Sequence, residues 1–165
     1  MSRLPLLGFA AAGLLLLILC IGPAGASDTV DVLTIGDATG DWGFPSPYGH
    51  YSRGPGYIRM SLIFDTLVWK DENGFVPALA EEWEYLPDEK AYLFHLRSGV
   101  TWNDGRPFTA QDVAFTVQYI QDHPYQWVDS STIEKAEATD DSTVKITLKK
   151  DYAPFLDQVA GTLPI

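Results

Sequence analysis

Residues 94–120 read FHLRSGVTWNDGRPFTAQDVAFTVQYI, and this run constrains the chain more than any other. Alternation through AYLFHLR puts Tyr92, Phe94 and Leu96 on one face of a strand and Leu93, His95 and Arg97 on the other. Asn103-Asp104-Gly105 is a turn, with Gly105 free to take a positive φ. Thr109 is a helix N-cap, and Asp112 three residues later makes a capping box with Asp in place of Glu. Ala110, Val113, Ala114, Val117 and Ile120 then form an apolar stripe at helical spacing, and Pro124 closes the helix. Arg97, Asp104 and Asp112 invite a catalytic reading. A structural reading is stronger: Asp112 caps, Asp104 turns the chain, and Arg97 at its strand end is expected to pair with one of them.

The flanking segments supply the partners of this unit. WEYL and AYLFHLR are split by Pro87-Asp88-Glu89-Lys90, a hairpin signal. Residues 135–140 and 143–149 make a second hairpin around Asp141-Ser142, and Pro154 suits the first turn of a last helix through Val159. Residues 57–68 (YIRMSLIFDTLV) are apolar at helical spacing, which predicts a buried helix or a helix–strand junction. Asp71-Glu72-Asn73-Gly74 is a turn, and Ala78 to Trp83 is expected to form one or two helical turns. Hairpins with helices packed on them, rather than alternating βα units, make the fold class α+β.

The N-terminus has the layout of a secretory signal peptide over residues 1–26: a positive Arg3, an apolar run from Leu6 to Ile21, and a small-residue site at Ala24-Gly25-Ala26. Its apolar run of 16 residues is short for a membrane span of about 20. An uncleaved anchor is the alternative. The sole cysteine, Cys20, lies inside this segment, and Leu19 before it is too large for a lipoprotein signal. The expected location is therefore the periplasm or the outer face of the cell membrane. Without Arg3, the remaining 10 Lys+Arg face 22 Asp+Glu, a formal charge of about −12. Nucleic acid and anionic lipid are poor partners for so acidic a surface.

After an opening strand over residues 29–36, the chain from Asp37 to Gly56 holds five glycines and three prolines, which forbids regular structure. Trp42, Phe44, Tyr48, His50, Tyr51 and Arg53 sit in the same stretch. Rings at that density want burial or a ligand, so an ordered recognition loop is expected. Catalytic and metal motifs are missing elsewhere. The three histidines lack HExxH spacing, there is no CxxC, no Asp-x-Asp-x-Asp-Gly calcium loop and no GxSxG elbow. No metal site and no cofactor are expected.

The run from Phe94 to Thr116 resembles the signature of family 5 extracellular solute-binding proteins, the receptors of ABC importers for peptides, nickel complexes and related solutes. The family pattern is roughly F-x-L-R-x-G-V-x-W/F-x-D-G-x-P-x-T-A-x-D-V-x-F-T/S, and nearly every fixed position is met. Ile63 to Val68 (IFDTLV) and Pro77 to Trp83 (PALAEEW) resemble the two preceding blocks, while Ala153 to Leu156 and Leu163-Pro164-Ile165 are similar to later ones.

That resemblance implies the N-terminal part of a bilobal, type II periplasmic-binding-protein-like fold. Residues 27–56 would be the opening strand of lobe I and the aromatic loop; residues 57–165 would be the extra subdomain of lobe I, stopping before the second lobe. It implies a monomeric receptor rather than an enzyme, with a small solute (a peptide or metal chelate) and a membrane ABC permease as partners. Implied solute contacts are Trp42, Tyr48, His50, Arg53 and Tyr57 before the first helix, and Trp127 after the motif helix. Arg53 would anchor a carboxylate, and His50 could approach a metal chelate. The alternative from another class is a secreted carbohydrate-active enzyme or carbohydrate-binding module using the ring-rich loop and acidic pairs. A stand-alone interaction domain is a third.

Overall fold

The computed structural model describes residues 60–124 and 127–165, together with Val32, Thr34, Gly36 and Ser46. The chain divides into two units, Met1–Asp37 and Ala38–Ile165. In the first, the described residues Val32, Thr34 and Gly36 of the expected opening strand are exposed and belong to no strand. The expected signal peptide lies outside the described residues.

The described residues of the second unit form two antiparallel sheets. A ribbon pairs β1 (Val68–Asp71) with β2 (Gly74–Pro77), closed by a turn in which Asn73 N–H donates to Asp71 Oδ1 at 2.7 Å. The main sheet has the order β3-β4-β6-β5, from β3 (Ala80–Leu86), β4 (Ala91–Leu96), β5 (Ile133–Ala138) and β6 (Thr143–Leu148). Helix α1 (Ala110–Asp122) lies between β4 and β5 in sequence and packs on β5 and β6. The α+β class and both expected hairpins are therefore present. A 3-10 turn over Pro87–Glu89 joins β3 to β4, with Lys90 in the left-handed region at φ 49°.

Register explains which side chains are buried. Trp83 faces Phe94, Phe94 faces Val144, and Val144 faces Ala138, so these four share one face across the whole sheet. Tyr92, Ile146 and Ala136 lie on that face one repeat further along. Glu84, Leu93, Lys145 and Glu137 line up on the opposite face, so the sheet is apolar on one side and largely polar on the other. The helix stripe Ala110, Val113, Ala114, Val117 and Ile120 is buried as its spacing requires. Phe94 and Phe155 are fully buried, and Phe155 stacks on Tyr92 with centroids 4.7 Å apart. Each such ring contributes roughly 1.5–3 kcal/mol by leaving water.

The last helix is only a short π-helical turn over Leu156–Ala160, ending at Gly161. A Cβ at Gly161 would stand 3.1 Å from the Leu156 carbonyl oxygen, so a larger residue there would need that carbonyl to give way slightly. Leu67 N–H donates to Ala160 O at 3.1 Å and Ile165 N–H to Asp65 O at 2.9 Å. The segment entering β1 and the segment after the π turn thus run side by side.

Two local expectations fail, and a third is met in the second of its two forms. Ala78 to Trp83 is not helical: Ala80 onward is strand β3, because pairing with β4 satisfies its backbone and buries Ala80 and half of Trp83. The described part of residues 57–68 is a helix–strand junction, the second form expected: Met60 and Ser61 are helical, Leu62 and Ile63 turn outward at 64 % and 52 % exposed, and the chain enters β1 with Leu67 and Val68 fully buried. Arg97 pairs with neither Asp104 nor Asp112; its Nε donates to the Ala78 carbonyl at 3.1 Å, tying the end of β4 to the segment before β3.

Candidate functional site

The signature run folds into a rigid corner. Thr101 bridges Pro107 across the loop, Trp102 N–H donates to Arg106 O at 2.9 Å, and Gly105 takes φ +84° to close the turn. Arg106 N–H reaches Asp104 Oδ1 at 3.0 Å and Arg106 Nε reaches Asp104 Oδ2 at 2.7 Å. Hydrogen bonds from the Arg106 backbone and guanidinium hold the Asp104 carboxyl below the usual range and raise the Arg106 pKa. At the helix start, Asp112 Oδ2 accepts from Thr109 N–H at 2.8 Å and from the Thr109 hydroxyl at 3.0 Å. No acid or base in this corner is positioned as a catalytic pair; each is used by the turn or the cap.

Rings projecting from this frame enclose the candidate site. Phe115 and Tyr119 fall off the buried stripe of α1, four residues apart, and are 64 % and 40 % exposed. Together with Phe64, Trp102, Ile120 and Ile165 they wall a cavity of about 510 Å³, with Arg106, Asp112, Thr116 and Ser46 as its polar lining. That volume falls within the range of small-molecule sites. Trp102 meets Phe108 edge-on at 5.8 Å, and its buried Nε1 has no hydrogen-bond partner among the described residues. Phe64 and Pro164 also border a second cavity of about 230 Å³, lined by Trp69, Lys70, Thr66 and Thr162. There, Trp69 Nε1 donates to Asp65 Oδ1 at 2.6 Å and Lys70 pairs with Asp157 at 2.7 Å. Among the described residues no group of three or more His, Cys, Asp or Glu could hold a metal ion.

Of the residues expected to touch solute, Trp42, Tyr48, His50, Arg53 and Tyr57 lie outside the described residues. Trp127 is described, 39 % exposed in the turn after α1, and borders neither cavity. Sequence reasoning treated the signature only as a frame and missed the outward rings Phe115 and Tyr119. Their signal was available: aromatic residues at i and i+4 lying off the apolar stripe of an amphipathic helix.

Residues 74–165 match the family model of bacterial extracellular solute-binding proteins, family 5 Middle, and thus more than half of the chain. The chain belongs to the family 5 extracellular solute-binding proteins. Among relatives of this family, the probable deoxycholate-binding periplasmic protein YgiS of Escherichia coli K12 is 36 % identical over 119 residues, 59 % of this chain and 22 % of YgiS. The dipeptide-binding protein of the same organism is 36 % identical over 105 residues, 52 % of this chain and 20 % of that protein. Among solved structures, NikA from Brucella suis, in complex with Fe(III)-EDTA, aligns with a TM-score of 0.61 at 26 % identity, over 74 % of this chain and 27 % of NikA. The chain thus spans about a fifth of the length of these curated family 5 relatives.

Proposed function

We propose that this chain is part of an exported substrate-binding receptor of an ABC importer, which captures a peptide, a metal chelate or another small solute for transmembrane transport. The observation that carries the reading is the match of residues 74–165 to the family 5 solute-binding model, on a fold whose signature residues are committed to caps and turns. Relatives named for a bile acid and a dipeptide, and a neighbour solved with a metal chelate, support capture of small solutes as a class. Their diversity also separates frame from specificity: one scaffold serves several ligands, so the shared signature does not select among them.

In this reading the receptor is a monomer of two lobes that close on the solute, and closure is the state that the membrane permease reads. Residues 57–165 supply the extra subdomain of lobe I, the N-terminal segment directs export, and the protein performs no covalent chemistry. Trp42, Tyr48, His50, Arg53, Tyr57 and Trp127 contribute ring walls and charge to the solute site, with Arg53 as carboxylate anchor. The test is uptake by intact cells. Deleting the gene should abolish import of one labelled peptide or chelate, and complementation should restore it. Unchanged uptake of every solute tried would refute the assignment.

A further inference from the structure

We draw no further inference here: the strongest candidate, the ring-walled cavity between helix α1 and Pro164-Ile165, belongs to the site already described, and nothing in the structure shows what covers its exposed Phe115 edge.

Discussion

Arg106 Nε lies 2.7 Å from Asp104 Oδ2, and Gly105 between them holds φ +84°. The ion pair is exposed on both sides, so solvent screening leaves it little weight in stability. The backbone conformation matters more. Gly105→Ala should lower stability by about 1 kcal/mol, because a Cβ strains the left-handed region. Arg106→Gln should cost less than that in the same urea titration. The opposite order would mean that the ion pair, not the turn, holds the corner.

Asp112 binds both the N–H and the hydroxyl of Thr109. Asp112→Ala should therefore cost about 1 kcal/mol, and Thr109→Ala a similar amount. Because the two residues serve one cap, the double variant should cost clearly less than the sum of the singles. Strict additivity in denaturant unfolding would show that the cap does not act as a unit.

The legible parts of the sequence were those where local and tertiary preferences agree. Thr109, Asp112 and the stripe from Ala110 to Ile120 specify a capped amphipathic helix by themselves, and the helix forms as read. Pro87 to Lys90 likewise marks its hairpin. The second half of β3, WEYL, is legible as a hairpin strand, but its start is not: ALAEEW has good helix formers, and only pairing with β4 overrides them. The partner of Arg97 was equally invisible, since a backbone carbonyl at Ala78 leaves no charge pattern to read. Phe115 and Tyr119 were legible as helix residues but not as cavity walls, because Phe64 and Ile165 reach them from distant parts of the chain.

Phe155 is fully buried against Tyr92 and Phe94, with ring centroids 4.7 and 6.4 Å away. It is the main anchor between the segment after β6 and the sheet. Phe155→Ala should destabilise by about 3–5 kcal/mol, through lost burial and the cavity left behind. Phe115→Ala, at an exposed site on the helix, should cost less than about 1 kcal/mol. Comparable losses in thermal unfolding would contradict the placement of the core.

Tyr85 donates its hydroxyl to Asp151, and this hydrogen bond to a carboxylate pushes its pKa up to about 12. The raised value means that the fold favours neutral Tyr85. Its contribution is whole below the unfolded value of about 10 and is lost as pH rises toward about 12. The carboxyls of Asp104, Asp129 and Asp140 are lowered, chiefly by hydrogen bonds from Arg106, Ser131 and Ser142. Their contribution is present above about 4, the unfolded carboxylate value, and is lost as pH falls below it. Burial also raises the Tyr92 pKa, so ultraviolet titration of tyrosinate should show a late-ionising component that shrinks, without vanishing, in Tyr85→Phe. A late component of unchanged amplitude in Tyr85→Phe would show that the Asp151 hydrogen bond does not hold back this phenol.

The receptor reading is tested most directly by thermal shift of the purified protein against dipeptides, nickel and iron chelates, bile acids and oligosaccharides. A solute that binds the folded state raises the midpoint with its concentration, by about 2.7 kcal/mol of stability at a hundredfold excess over Kd. The predicted result is a saturable rise with one solute of the first three classes and recovery of that solute chemically unchanged. An unmoved midpoint with every solute, or cleavage of an oligosaccharide, would contradict the account.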